Sequence, residues 1–299
     1  MSERKHLEMS EGEGSHVSIK YYAAMLVDIL GQRQGLAGWS RIPESNQLQN
    51  EAFMNALRDS VGVRREIEKQ VRKTFDGFRR DFTFPRLQAD PRYSVIADSM
   101  NNEPIHTQAF GDTIIAFVAL MTAQGFHNAR GLLALLAASM ATLIHSILIK
   151  SPTRIVLDIG AATDAFPGEL YGQLLVDLDR AEKKVVDWMR ILVGPSLKRL
   201  LESPSSPRHD HPPYFVVALG QFGESVVADP VDQKPIIDYL GPRTSDYYTT
   251  VDRSTLRTKL LKATREMKAN PTISADVVKK YDRLQHYLES TQMQDLRGF

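Results

Sequence analysis

Two aspartates, far apart in the chain, stand where apolar runs end. The stretch LVDILG closes the run Lys20 to Leu30 with Asp28, and QAFGDTIIAF sets Asp112 between two apolar runs. A carboxylate entering a buried strand end is costly unless it meets a cation or several hydrogen-bond donors. If the two strand ends lie side by side, Asp28 and Asp112 converge at one sheet edge, where they repel each other. A divalent cation removes that repulsion. Oxygen donors without histidine or cysteine favour Mg²⁺ or Mn²⁺. Gly31 would let the backbone approach a phosphate closely, and the amides after Asp28 could cradle it. The chemistry expected of such a pair is metal-assisted work on a phosphate.

The elements that must position these residues follow from periodicity and punctuation. Lys20 to Leu30 is almost continuously apolar, as in a central strand covered on both faces. Ile105 to Phe110 and Thr113 to Val118 read as two strands, with Gly111-Asp112 as a two-residue type II′ hairpin turn. From Glu51 to Arg80 the pattern is helical. Phe53, Leu57, Val61, Ile67, Val71, Phe75 and Phe78 fall on one side, and a basic face of Arg64, Arg65, Lys69, Arg72, Lys73, Arg79 and Arg80 faces solvent on the other. Asp81 to Glu103 reads as irregular, punctuated by Pro85, Pro91 and Pro104.

Further along, Gly131 to Ile149 runs without a formal charge for about the length of a membrane span. It carries Ser139, Thr142, His145 and Ser146 and no aromatic belt, so a helix buried on nearly every side is expected, not a span. Arg154 to Ala162 reads as a strand, Tyr171 to Met189 as a helix, Ile191 to Val193 and Tyr214 to Leu219 as strands. Ser203 to Pro213 reads as a loop, whose His209-Asp210-His211 is taken as polar loop residues and not as a metal site. Thr255 to Lys268 and Ser274 to Ser290 read as amphipathic helices split by Asn270-Pro271. The order predicts an α+β sandwich, with helices packed on a mostly antiparallel sheet.

Composition narrows the partners. The chain has 299 residues, a formal charge of +1 and no cysteine. The charge gives no reason to expect a nucleic-acid polyanion. The lack of cysteine excludes disulfides, zinc-thiolate sites and cysteine nucleophiles, and fits a reducing compartment. Residues 1–18 are polar, without the apolar core of a signal peptide. They predict a mobile tail on a cytoplasmic protein with no membrane association.

Three stretches together resemble the class III nucleotide cyclases, the adenylyl and guanylyl cyclases. LVDILG is similar to that family's first metal motif, an Asp-Ile-x-Gly ending the first strand. QAFGDTIIAF is similar to its second, a Gly-Asp at the next hairpin tip. Glu169-Leu-Tyr-Gly172 resembles the acidic-x-aromatic-Gly stretch before the family's catalytic helix. The matches occur in the family's order and span roughly Ile19 to Leu219. The resemblance implies a ferredoxin-like or palm cyclase sandwich as a catalytic domain over 19–220. A mostly helical extension, 221–299, is left unexplained. Two Mn²⁺ or Mg²⁺ ions would be held by Asp28, Asp112 and the carbonyl of Ile29, with Leu30 and Gly31 at the phosphates. Glu169, His106 and Gln108 would face the base, and Arg180 would stabilise transition-state charge. It also implies a nucleoside triphosphate substrate and a head-to-tail homodimer in which each site draws on both protomers.

This chain departs from the family at two places. Val176 stands where the family places an asparagine, and His106 where adenylyl cyclases keep a lysine. The missing lysine argues against ATP, and the chain most resembles the compact cytidylate and uridylate cyclases of bacterial antiphage signalling. UTP or CTP is therefore the expected substrate. Three rivals stand beside this expectation. A cyclase-like nucleotide-binding module without activity is hinted at by Val176. The run Arg154 to Asp164, RIVLDIGAATD, resembles the first motif of methyltransferases that bind S-adenosylmethionine, although Gly160 is its lone glycine. Cyclic-dinucleotide synthases share the Gly-Asp hairpin, but Thr113 stands where their glutamate should be.

Overall fold

The near-continuous apolar run after Ile19 forms the strand that its composition predicts. In the computed structural model, β1 (Lys20–Ile29) pairs antiparallel with β3 (Thr113–Ala119) on one side and β4 (Thr153–Phe166) on the other. Every residue from Tyr22 to Ile29 is buried, as covering on both faces requires. The structure describes residues 19–30, 47–81, 93–166, 168–202, 211–241, 244, 252–271 and 273–297.

The sheet has eight strands. Its path runs β2 (His106–Phe110), β3, β1, β4, β6 (Ile191–Val193), β8 (Pro235–Ile237), β7 (Val226–Ala228), and β5 (Glu169–Tyr171) folds back on β4. The β4–β6 pairing is parallel and the other pairings are antiparallel, so the class is α+β with a mixed, mostly antiparallel sheet. Phe110 faces Thr113 across the β2–β3 turn, and Gly111 takes φ +59° while Asp112 does not. A positive φ at the first turn position alone is the signature of the expected type II′ turn.

Alternation divides β1 between two cores. Ala23, Met25, Val27 and Ile29 face α1 (Gln47–Asp81), through Ile67, Val71 and Phe75, and α3 (Ala129–Leu148). Tyr22, Ala24 and Leu26 face the other way, toward Leu174 and Leu178 of α4 (Gln173–Val185). α3 is buried along nearly all its length, and its Ser139 and Ser146 hydroxyls donate to the carbonyls of Leu136 and Leu143 at 2.7 and 2.8 Å. Its length and composition are those of a span, and the protein interior accounts for both. Asn128 joins the start of this helix to the end of β3. Its side chain accepts from Gly131 N–H and donates to Ala119 O, both at 2.9 Å.

Several sequence expectations are corrected. Tyr214 to Leu219, expected as a strand, lies inside α6 (Pro213–Gly223). A proline is accommodated in its first turn, and Phe215, Leu219 and Phe222 are buried at helical spacing. The stretch expected to be irregular contains α2 (Tyr93–Asn102), which buries Ile96, Ala97 and Met100 just after Pro91. β4 continues past Ala162 to Phe166, and the helix after it ends at Val185 and not Met189. A short helix, α5 (Pro195–Glu202), and the three-residue strands β5, β7 and β8 went unpredicted. The C-terminal part is helical in α7 (Arg253–Lys268) and α8 (Ala275–Arg297), and β7 and β8 join the sheet through β6, while residue 220 lies in α6. The expected N-terminal tail lies outside the described residues.

Candidate functional site

The period of a strand places Asp28 on the same side as Leu26, the side that α4 covers. Its register partners are Thr113 on β3 and Arg154 on β4. The Ile29 N–H donates to Asp112 O at 3.2 Å, which extends the ladder to the hairpin tip and sets Asp112 opposite Ile29. Asp28, Ile29, Leu30 and Asp112 thereby line one cleft of about 680 Å³, with Leu26, Phe110 and Thr113 beside them. Gly31 lies outside the described residues.

Two further elements close the cleft. α4 contributes Asp179, Glu182 and Lys183, and α8 contributes Val277 and Lys280. Arg154, at the opening of β4, ties the wall together. Its Nε and Nη2 both donate to Asp28 Oδ2, at 3.1 and 2.5 Å, and its Nη1 donates to Val186 O at 2.8 Å. Nη2 also lies against Glu182 Oε1, which accepts no hydrogen bond in geometry. Burial pushes the Glu182 carboxyl above the ordinary carboxylate range, and the Arg154 charge only partly opposes that. Both guanidinium bonds to Asp28 go to Oδ2, which leaves Oδ1 without a protein partner among the described residues.

The donor set fits a hard divalent cation. Asp28, Ile29 and Asp112 all line the cleft, and two carboxylates and a backbone carbonyl are the oxygen donors they carry. Among the described residues, no three His, Cys, Asp or Glu side chains cluster on one point. A cation there would therefore complete its shell with carbonyl, phosphate and water oxygens, as Mg²⁺ and Mn²⁺ sites commonly do.

The remaining expected site residues lie elsewhere on the chain. His106 stacks on Phe117 with ring centroids 5.2 Å apart. Gln108 accepts the Leu170 N–H at 3.1 Å, and Glu169 receives the Tyr171 hydroxyl. These three therefore gather around β2 and β5, apart from the cleft. Arg180 is exposed on α4, 3.6 Å from Asp177, and does not line the cleft of its own chain. Val176 is likewise exposed on α4.

Arg154 and Glu182 were missed in the sequence, although a cation opening an apolar strand is a readable signal once β4 is known to lie beside β1. Asp179, Lys183 and Lys280 carried no signal separable from solvated helix faces. The run that resembles the methyltransferase motif forms strand. Gly160, Ala161 and Ala162 continue β4 in antiparallel register with Tyr22, Tyr21 and Lys20, where that motif needs a turn into a helix. Of the His209-Asp210-His211 triplet, only His211 is described, and its Nδ1 lies 2.9 Å from His127 Nε2. No protein-family model and no curated protein matches the chain.

Proposed function

We propose that the protein is a nucleotide cyclase, converting a nucleoside triphosphate, UTP or CTP, to a 3′,5′-cyclic nucleotide and pyrophosphate. The observation that carries this is the convergence of Asp28 and Asp112 in one cleft through the β1–β3 register. The order β4-β1-β3-β2, with α1 and α3 on one face, supports it as well, since it is the ferredoxin-like arrangement that the cyclase resemblance implies.

In the reaction the ribose 3′-oxygen attacks the α-phosphorus, loses its proton, and the bond to the bridging oxygen breaks to release pyrophosphate. Divalent ions held by Asp28, Asp112 and the Ile29 carbonyl would supply activation of the 3′-hydroxyl and neutralisation of the phosphates. The chain's own part is positioning. Arg154 fixes the Asp28 carboxylate, the Ile29–Asp112 backbone bond holds the hairpin tip, and Leu26, Phe110 and Val277 add apolar surface to the cleft.

His106, Gln108 and Glu169 would read the base, and Arg180 would meet the phosphates. On one chain they stand apart from the cleft, so this reading needs a head-to-tail homodimer to bring a second protomer's copies to it. A catalytically inactive nucleotide-binding module is the second reading. The Arg154 guanidinium already on Asp28 and the absence of the family asparagine at Val176 favour it.

Incubation with each of the four ribonucleotides and Mn²⁺, with products read by mass, tests the two readings. A cyclic pyrimidine nucleotide is expected, lost in Asp28→Ala and in Asp112→Ala. Turnover that survives either change in a folded protein sinks the cyclase assignment, and binding without product selects the inactive module.

A further inference from the structure

α8 presents Lys280, Arg283 and Tyr287 along one stripe, at positions i, i+3 and i+7. Two of the three are anchored. Arg283 reaches Asp187, just beyond α4, and the Tyr287 hydroxyl donates to Asp238 at 2.6 Å. Lys280, at the near end of the stripe, is thereby held over the cleft beside Val277.

The cleft is lined by four carboxylates, Asp28, Asp112, Asp179 and Glu182, and three cations, Arg154, Lys183 and Lys280. Arg154 is engaged by Asp28 and Glu182, and Lys183 by Asp179 at 2.7 Å. Lys280 alone of the three has no hydrogen bond or ion pair among the described residues. It is half-buried, and burial, followed by the Arg154 charge, lowers its pKa against the longer-range pull of Asp28, Glu182 and Asp276. A half-buried ammonium without a direct hydrogen-bond or ion-pair partner has donors left to offer an anion that enters the cleft.

We propose that Lys280 binds the phosphate chain of the substrate, so that the C-terminal helix, which the cyclase resemblance leaves unexplained, is a wall of the active cleft. This rests on the cyclase reading for the identity of the substrate, and on the cleft alone for the anion.

The test uses the full chain and inorganic pyrophosphate with Mg²⁺ as the calorimetric probe. Lys280→Met should bind pyrophosphate about tenfold more weakly, Lys280→Arg should stay near wild type, and Lys198→Met, at an exposed lysine paired with Glu202 on α5, should be unchanged. In turnover, Lys280→Met should raise KM for the nucleotide more than it lowers kcat. Should Lys280→Met melt early, Lys280→Gln is read in the same way. Wild-type affinity in a folded Lys280→Met, or no pyrophosphate binding by the wild type, overturns the proposal. Lost pyrophosphate binding without turnover of any nucleotide by the wild type upholds the anion site and sinks the cyclase reading.

Discussion

Replacing Arg154 with methionine removes the one guanidinium between Asp28 and Glu182. Both acidic side chains are only 10% exposed, and Arg154 itself is 18% exposed. Methionine roughly keeps the stem volume, so the change is mainly one of charge. Removing one partner of a buried ion pair costs about 3–5 kcal/mol, and the cleft's access to water favours the lower end. For a chain of this size that corresponds to about 6 °C in Tm at neutral pH.

Acid should narrow the gap. The Glu182 carboxyl is already held above its unfolded value by burial, and losing Arg154 raises it further. A carboxyl raised in the folded state favours folding below its unfolded pKa, and that benefit is lost as pH rises through the folded value. The variant should therefore recover part of its deficit between neutral pH and a pH near the unfolded carboxylate value. Mn²⁺ should stabilise Arg154→Met more than wild type, since a divalent ion would replace the missing charge at Asp28. Thermal melts at both pH values, with and without Mn²⁺, read all three effects. A variant that melts with wild type at neutral pH, or loses further stability in acid, refutes the role given to Arg154.

Two other outcomes follow from local geometry. Gly111→Ala forces a Cβ into a φ of +59° where no neighbouring atom obstructs it, so the cost is backbone strain of about 1–2 kcal/mol, read as a lower Tm. An unchanged melt would mean that the hairpin tip bearing Asp112 does not need its type II′ turn. His127, packed against His211 and Phe215, has its pKa lowered by burial. A histidine depressed in the folded state contributes stability at high pH and loses it as pH falls. Tm should thus drop on acidification below about pH 6.5, and His127→Gln should flatten that dependence.

Much of the frame was legible because it rests on patterns with a single physical solution. A near-continuous apolar strand, a Gly-Asp turn between apolar runs and a long uncharged helix each had one economical placement, and β1, the β2–β3 hairpin and α3 follow them. The α6 segment did not. A six-residue apolar run carries no period that separates strand from helix, and only the packing of Phe215, Leu219 and Phe222 decides it. The strands β7 and β8, three residues each, are held by pairing with the sheet more than by any propensity of their own. At the site, Asp28 and Asp112 were readable from their places at strand ends. The Arg154 pairing depended on β4 lying antiparallel beside β1, and Lys280 on a C-terminal helix folding back over the same cleft.

Manganese binding followed by electron paramagnetic resonance bears most directly on the proposal that Asp28 and Asp112 share a metal. Titrating Mn²⁺ into the full chain should deplete the free-ion signal. Asp28→Asn and Asp112→Asn, each near-isosteric, should each weaken that binding on their own. If both variants bind Mn²⁺ as the wild type does, or if the wild type does not bind it, the two aspartates do not form one metal site.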